Sequence, residues 1–287
     1  MNEYCTLTEL KRQLVPAGTT TDDTVLLLML EDASRWLDKR TRHRFYPRVA
    51  TRYYDYPAPH PALLVLDDDL LDLTTLTTEN GAVTIVASDY LLLCGDNYNR
   101  TPYDRILLKD NGTQVTFAYS SSIQKSQAVT GMWGYREEYS EAWEDSLDDI
   151  AAGHAYTAGG TSIYVSDADG ADWAGLTPRF QAGQTLLIDS EMFSVRGVNT
   201  TTNVLTVMGA RNGTTAANHA ALASIAIWRP MRDIFRATLD LAAWLYRQKD
   251  KQEGGAVGYP TLGITLNPDT LPVSVREVLK RYSEVSL

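Results

Sequence analysis

The stretch Gly131-Met132-Trp133-Gly134-Tyr135 has the pattern of a strand that leads towards a helix, yet the next helical pattern, Arg232 to Asp250, begins about a hundred residues later. The intervening residues are rich in Gly, Ala, Thr and Asp, and their apolar positions alternate as they do in short strands. The sequence therefore predicts an α+β core domain, residues 1–139 plus 228–287, interrupted by an inserted β-rich domain at residues 140–227.

The bulk composition is that of an ordinary globular protein. The chain has 287 residues, of which 44% are hydrophobic and 22% charged, and this length fits one large or two modest domains. Residues 1–5 lack the features of a signal peptide, and the apolar run Val25–Leu30 is too short to cross a bilayer. With only Cys5 and Cys94 available, no disulfide framework is expected. We therefore expect a protein made in a cytoplasm, with no membrane partner.

The net charge of −10 is spread unevenly along the chain. Residues 140–228 contain ten acidic and three basic residues, so most of the imbalance falls within the expected insertion. Acidity of this kind argues against nucleic-acid binding by that part of the chain.

Two helices are predicted near the N-terminus. Thr6-Leu7-Thr8-Glu9 fits a capping box and begins a short helix that extends to about Leu14. Thr21-Asp22-Asp23 offers a second N-cap, and the helix after it should extend to about His43 and bury a broad apolar face. The residues that we assign to this face are Val25, Leu26, Leu28, Met29, Leu30, Ala33, Trp36 and Leu37.

The region after the second helix has the pattern of an antiparallel sheet packed on the first helices, with turn signals at Asn80-Gly81 and Asn111-Gly112. The insertion shows the same alternation, which predicts a small barrel or sandwich. The strands predicted in the core are Tyr53–Tyr56, Leu63–Leu66, Leu70–Leu76, Val83–Ile85, Tyr90–Leu93, Arg105–Leu108, Val115–Tyr119 and Ala128–Trp133; those in the insertion are Ser162–Val165, Thr185–Ile188, Met192–Val195 and Val204–Val207.

The helical pattern from Arg232 to Asp250 is apolar on two neighbouring faces, so the helix should be covered by its own domain or by a neighbouring subunit. A flexible stretch, Gly254–Gly263, and a short final helix follow it. The first face contains Ile234, Ala237, Leu241 and Leu245, and the second contains Phe235, Leu239, Ala242 and Tyr246.

No convincing catalytic or metal-binding motif is present in the sequence. The stretch Asp167–Asp172 departs from the calcium-loop pattern, because Gly170 comes too early and no Glu follows at the right distance. The carboxylates of Glu141–Asp149 are better explained as a solvated acidic linker than as the paired site of a hydrolase. We therefore expect a protein that is not an enzyme and has no cofactor.

The order of the motifs resembles that of the head–tail connector proteins, also called adaptor or head-completion proteins, of tailed bacteriophages. Four stretches carry the resemblance, which covers about residues 1–139 and 228–287. They are Leu7-Thr8-Glu9-Leu10-Lys11, the acidic start Asp22-Asp23 of a helix through Leu30, the strand Gly131-Met132-Trp133-Gly134-Tyr135, and Arg229-Pro230-Met231-Arg232-Asp233-Ile234.

The resemblance implies a structural virion protein located in the neck of the particle. Such proteins form a ring, commonly of twelve copies, beneath the portal, extend the DNA channel, and present a surface to the next neck or tail protein. The implied partners are the portal protein, other copies of the chain, the next neck protein, and packaged DNA through non-specific contacts. The C-terminal segment Pro272–Leu287 would bind the portal.

The resemblance also assigns roles to particular residues. The basic segment from Lys39 to Arg52 is the candidate for contact with DNA or for a subunit seam, although favourable charge at a helix C-terminus together with a solvated surface explains it more simply. The expected portal-binding residues are Val275, Val278, Leu279, Arg281 and Tyr282; the expected subunit interface is Phe235, Leu239, Ala242 and Tyr246; the expected channel or seam residues are Arg40, Arg42, Arg44 and Arg48.

The insertion itself resembles small β modules of other phage structural proteins. The resemblance rests on Ile188–Met192, Arg211-Asn212-Gly213-Thr214 and His219, with one Gly of the usual signature missing. An alternative function follows from this module. The chain would then be a phage tail or baseplate protein whose insertion recognises carbohydrate or capsid. Trp173, Tyr164 and Phe180 would form a sugar platform unless they fill the small core.

Overall fold

The computed structural model of the chain describes residues 2–14, 21–98, 100–173, 175–248 and 271–282. Within these ranges it contains four α-helices and two six-stranded antiparallel sheets, so the fold is α+β and mostly β. The helices are α1 (Leu7–Leu14), α2 (Asp23–Thr41), α3 (Arg232–Gln248) and α4 (Val273–Tyr282).

The strands of the two sheets follow one another along the chain. The first sheet contains β1 (Arg48–Tyr54), β2 (Leu63–Thr78), β3 (Val83–Ile85), β4 (Tyr90–Leu93), β5 (Tyr103–Leu108) and β6 (Gln127–Trp133). The second sheet contains β7 (Trp143–Asp149), β8 (Ser162–Tyr164), β9 (Thr185–Ile188), β10 (Glu191–Asn199), β11 (Val204–Met208) and β12 (Ser224–Trp228).

The chain divides into two compact units. The helix–sheet unit comprises residues 1–42, 143–211 and 215–287, with the four helices and the second sheet; the single-sheet unit comprises residues 43–142 and 212–214, with the first sheet. This grouping by contacts differs from the expected one, which placed the first sheet with the helices. The division into a core domain of residues 1–139 plus 228–287 and an inserted domain of residues 140–227 stays a prediction.

In the single-sheet unit the strand order is β1-β6-β2-β5-β4, and β3 pairs with the end of β2. The long strand β2 covers both of the runs predicted at Leu63–Leu66 and Leu70–Leu76. The burial of β6 alternates along its length, with Val129 and Trp133 facing a core that also contains Leu70, Ile106 and Phe117. The prediction of a strand ending at Trp133 is therefore confirmed.

Steric or polar contacts explain why the stretch Gly131–Tyr135 has glycine at two positions and tryptophan at a third. A Cβ atom on Gly131 would overlap the backbone oxygen of Asp72 on the neighbouring strand. Gly134 has a φ of 148° and faces a backbone oxygen in the segment before β1. The Trp133 indole donates to Ala50 O at 2.9 Å, and the Arg52 guanidinium lies 4.4 Å above its ring centroid.

In the helix–sheet unit the second sheet has the order β7-β12-β9-β10-β11-β8. An isolated bridge between Ile150 and Val165 joins the chain just after β7 to the chain just after β8, so the two edges of the sheet meet there. The Ala151 amide donates to Tyr164 O at 2.8 Å at the same place. Phe180, Phe193 and other apolar side chains fill the core of this sheet.

Two expectations for particular segments were wrong. The run Val115–Tyr119 forms no strand, because Phe117 N donates to Pro61 O and Ala118 N donates to the Thr78 hydroxyl instead of to a ladder. Glu141–Asp149 is not a solvated linker, since most of it forms β7, which pairs with β12. Its carboxylates lie on an edge strand, where charged side chains are common.

The helices pack around α3, which contacts α1, α2 and α4. On α2, Leu26, Leu30 and Leu37 are buried as expected, but Val25 and Leu28 are exposed, so the expected breadth of the buried face was wrong. The helix predicted from Arg232 is observed through Gln248. Its last two predicted residues and the stretch Gly254–Gly263 lie outside the described residues.

The N-terminal segment Asn2–Thr6 is buried between α2 and the second sheet. Tyr4 N donates to the Ser34 hydroxyl at 3.2 Å, and the Thr6 hydroxyl donates to Gln181 Oε1 at 2.6 Å. The predicted capping box of α1 is confirmed, because Thr6 N donates to Glu9 Oε2 and Glu9 N donates to Thr6 Oγ1.

Substitution of Gly131 by alanine should destabilise the single-sheet unit, because its Cβ would collide with the backbone of β2. We expect a loss of about 2 kcal/mol or more in the free energy of unfolding, measured by urea denaturation. Gly197→Ala is the matched control, since a Cβ there meets nothing closer than 3.9 Å. Equal stability of the two variants would contradict this account of the motif.

Candidate functional site

The residues expected to bind the portal lie on α4, and part of this set is used within the protomer. Val275, Val278 and Tyr282 are buried, and the Tyr282 hydroxyl donates to Asp233 Oδ2 at 2.7 Å. Leu279 is half-buried and Arg281 is exposed. Residues 283–287 of the expected segment lie outside the described residues. The portal-binding role stays a prediction, and Leu279 and Arg281 offer the accessible surface for it.

The expected subunit interface on α3 is also partly covered by its own unit. Leu239 and Ala242 are buried, whereas Phe235 and Tyr246 are half-buried. The Tyr246 hydroxyl donates to the carboxylate of Asp22, at the start of α2. The two apolar faces of this helix are therefore explained mainly by packing within the helix–sheet unit.

An exposed apolar pair on α2 was missed by the sequence analysis. Val25 is 38% exposed and Leu28 is 53% exposed, and their spacing of three residues places them on one face of the helix. Periodicity alone had assigned both to the core. Only the actual packing of α2 against α3 and α4 shows which apolar residues remain in solvent.

The basic segment is divided between the two units. Arg40 and Arg42 end α2 in the helix–sheet unit, where Arg40 lies over the Trp36 ring at 5.5 Å and Arg42 is a left-handed C-cap with a φ of 62°. Arg44 and Arg48 belong to the single-sheet unit. The four residues are therefore not all presented by one compact unit.

Within the single-sheet unit, the acidic run Asp67-Asp68-Asp69 offsets much of the basic charge. Arg52 pairs with Asp68, and Arg44 lies 3.7 Å from the same carboxylate. His43 Nδ1 lies 2.6 Å from Asp69 Oδ2. Arg48 is exposed on the edge strand β1 and is the residue of this unit best placed to meet a polyanion.

A buried polar cluster in the second sheet centres on His219. Its Nδ1 lies 2.7 Å from Asp189 Oδ2 and its Nε2 lies 3.0 Å from Glu191 Oε2. His219 and Glu191 are buried, whereas Asp189 is exposed.

Glu191 also holds both ends of the loop that precedes His219. Its Oε1 accepts from Ala210 N at 2.7 Å, and its Oε2 accepts from Ala217 N at 2.8 Å. A Cβ on Gly209 would overlap Glu191 Oε1, so this position requires glycine. The signature residues Asp189 and Glu191 thus form one hydrogen-bonded cluster with His219, which lies about thirty residues further along the chain.

The aromatic residues of the proposed sugar platform do not act together. Phe180 is fully buried in the core of the second sheet, so it cannot present a face to a ligand. Tyr164 remains accessible and stacks on His154 with centroids 4.4 Å apart. Trp173 is 58% exposed and lies beside the Arg229 guanidinium, 5.9 Å from its ring centroid.

The acidic turn at Asp167–Asp172 is held by protein groups. Asp167 accepts from Gly170 N at 3.1 Å and pairs with the Arg179 guanidinium at 3.1 Å. No group of three or more His, Cys, Asp or Glu side chains in the described ranges is arranged to hold a metal ion. In the same ranges, no helix combines the length and the apolar character that crossing a membrane requires.

A cavity of about 90 Å³ lies beside the N-terminal segment in the helix–sheet unit. Glu3 lines it with a side chain that is only 2% exposed, and the Arg196 guanidinium lies 3.7 Å from Glu3 Oε1. Burial raises the pKa of Glu3 above its ordinary value, and burial likewise raises the pKa of the Cys5 thiol. Sequence reasoning missed this site, because nothing in the pattern at the N-terminus indicates burial.

Comparison of the chain with protein-family models, with curated proteins and with solved structures found no match. The resemblance to connector proteins therefore rests on the motifs quoted above.

Removal of the His219 ring should destabilise the helix–sheet unit, because it leaves the Glu191 carboxylate buried with fewer donors. We expect His219→Ala to lower the free energy of unfolding by about 2–4 kcal/mol. The exposed His154 supplies the matched control, since His154→Ala loses only a surface stacking contact. Chemical denaturation of the two variants measures their free energies of unfolding. Similar values for both would show that the cluster around His219 does not stabilise the unit.

The stability contributed by Glu3 should depend on pH in a defined direction. Since its pKa is raised in the folded state, the folded protein binds this proton more tightly than the unfolded chain does. The stability that the bound proton of Glu3 contributes is therefore lost as the pH rises through the raised pKa. This contribution is fully present at pH values well below the ordinary pKa of a glutamate. Glu3→Gln should be more stable than the wild type at pH 7, with the gap narrowing towards pH 4.

Urea denaturation at several pH values measures this gap. Glu141→Gln is the control. Glu141 is exposed, so this substitution makes the same chemical change at the surface of the protein. A gap for Glu3→Gln that stays constant between pH 4 and pH 7 would show that Glu3 does not titrate in this way.

Proposed function

We propose that this chain is a structural subunit of the neck of a tailed phage particle, where copies form a ring under the portal and join the DNA-filled head to the tail. The observation that supports it is that each motif of the resemblance forms a distinct element in the expected order. The capping box begins α1, Asp22-Asp23 begins α2, the tryptophan stretch ends β6, and Pro230 precedes α3.

A ring requires two different surfaces on each subunit, which meet when one copy contacts the next. The exposed pair Val25 and Leu28 on α2 supplies an apolar surface suited to one side of such an interface. Phe235 and Tyr246 keep part of their surface and remain candidates for the other side. Leu239 and Ala242 would support these residues from within the subunit.

The proposed channel role concerns charge rather than base recognition. Arg40, Arg42 and Arg48 are exposed, and exposed guanidinium groups attract phosphates without reading sequence. Arg44 is a weaker candidate than these three, because it faces Asp68. The contact with packaged DNA would therefore be non-specific and sensitive to salt. No catalytic role for the chain is proposed.

The alternative proposal is a tail or baseplate module that recognises carbohydrate or capsid. It is favoured by the exposure of Trp173 and Tyr164, since exposed aromatic rings are common contacts for sugar faces. Phe180 has no part in it. Glycan binding that is abolished by Trp173→Ala would favour this alternative over the ring.

The ring proposal predicts assembly on the portal protein encoded in the same genome. Co-expression of the two proteins, followed by negative-stain electron microscopy, should show a second ring beneath the portal. Leu28→Lys should reduce the fraction of portals that carry this ring several-fold, because a buried unpaired lysine opposes association.

Thr201→Lys is the matched control, since Thr201 is exposed in the turn after β10 and lies outside α2. Circular dichroism of both variants checks that α2 is intact. If portals carry no second ring with the wild-type chain, the ring proposal is wrong. If both variants reduce the fraction of ring-bearing portals equally, Leu28 is not part of the interface between subunits.

A further inference from the structure

The chain contains three Asn-Gly pairs, and the structure places them in different surroundings. In such a pair the side-chain carbonyl carbon of the asparagine can close a ring with the next backbone nitrogen, and glycine has no Cβ to hinder the approach. These pairs are therefore the places where a polypeptide loses ammonia most readily. The pairs are Asn80-Gly81, Asn111-Gly112 and Asn212-Gly213.

The side chain of Asn80 is held by hydrogen bonds to one neighbouring loop. Its Oδ1 accepts from Ser120 N at 3.0 Å and from Ser121 N at 3.1 Å, while its Nδ2 donates to Ser122 O at 3.0 Å. Ring closure has to break these bonds, because the side-chain carbonyl carbon becomes part of the ring and Nδ2 leaves. The fold therefore protects Asn80.

Asn212 is restrained through its backbone. It is half-buried and has a φ of 55° in a short turn. A Cβ on Gly213 would lie 2.1 Å from Val49 O, so the main chain packs closely against β1 at this point. Closing the ring fixes the ψ of the asparagine, and the packing opposes the rotation that this requires. The fold therefore protects Asn212 as well.

Asn111 lies at the tip of the turn that follows β5, and no comparable restraint holds it. Its side chain is exposed and makes no hydrogen bond to the parts of the chain that the structure describes. The amide of Gly112, which would attack it, makes a long bond of 3.4 Å to Lys109 O. A Cβ on Gly112 would lie 3.0 Å from Asp89 Cγ, so the turn favours glycine at this position. The structure thus leaves this pair reactive.

We propose that Asn111 is a site of spontaneous deamidation in the folded protein. Gly112 N gives up its proton to solvent and attacks Asn111 Cγ. The new C–N bond closes a succinimide ring, the Cγ–Nδ2 bond breaks, and Nδ2 leaves as ammonia with a proton from solvent. Water then opens the ring at either carbonyl carbon, which gives aspartate or isoaspartate without oxidation or reduction. The proposal does not depend on the ring under the portal, because it concerns one turn of a single copy.

The modification acts on the group that anchors this turn. Asp89 is buried, and its Oδ2 accepts from Thr113 N at 3.0 Å and from Gln114 N at 3.2 Å. An aspartate at position 111 adds a negative charge to the turn that this carboxylate holds, and like charges repel. An isoaspartate also lengthens the main chain by one carbon shortly before Thr113. The modified turn is therefore held less firmly.

The test follows deamidation of the full, folded chain during incubation in a mildly alkaline buffer. Mass spectrometry of proteolytic peptides measures the modified fraction at each of the three pairs over time. Asn111 should react about tenfold or more faster than Asn80 and Asn212, because breaking their restraints adds to the barrier. Asn111→Gln is the control, since its longer side chain closes a ring far more slowly. The product at this position should disappear, while the rates at the other two pairs stay unchanged.

A parallel incubation in guanidinium chloride separates the effect of the fold from that of the local sequence. In the unfolded chain the three pairs should react at similar rates. Equal rates in the folded chain, or a faster rate at Asn80 or Asn212, would overturn the proposal. The same preference for Asn111 in the unfolded chain would also overturn it, because the local sequence alone would then explain the preference. So would a folded chain that gives no product at Asn111 while the unfolded chain reacts there.

Discussion

The burial of the N-terminal segment Asn2–Thr6 is the constraint on which the helix–sheet unit depends. Buried backbone groups must find hydrogen-bond partners, and those of this segment find them on two sides. On the side of α2, Tyr4 N donates to the Ser34 hydroxyl and the Arg35 guanidinium donates to Asn2 O. On the other side, Leu7 N donates to Ala182 O. These bonds connect the helices to the second sheet within the unit, although the chain between them is long.

Local structure was readable from the sequence, whereas the grouping of elements was not. Caps, turns and alternating apolar runs are local signals, and they located α1, α2 and most strands to within a few residues. Strand β7 was not predicted, because it is an acidic edge strand with little apolar alternation. The exposure of Val25 and Leu28 was not predicted for the opposite reason. Both residues fit the apolar periodicity of α2, and yet both are exposed to solvent.

The candidate sites show the same limit. The stretch Ile188–Met192 and His219 were recognised as parts of one signature, but their shared role depends on strand pairing that brings Asp189 and Glu191 to both ring nitrogens. Glu3 gave no signal at all, because a carboxylate near a chain end is normally solvated. Its burial follows from Asn2 and Tyr4, which anchor the segment on either side of it through bonds to Arg35 and Ser34.

The helix–sheet unit is assembled from three separate stretches of chain, and this affects the order in which a nascent polypeptide can fold. Residues 43–142, which make up nearly all of the single-sheet unit, leave the ribosome as one continuous piece. Helices α1 and α2 emerge earlier, but α3 follows only after residue 231. Throughout that interval Leu26, Leu30 and Leu37 lack the helix that covers them, and apolar surface left exposed in this way favours aggregation of the partly synthesised chain.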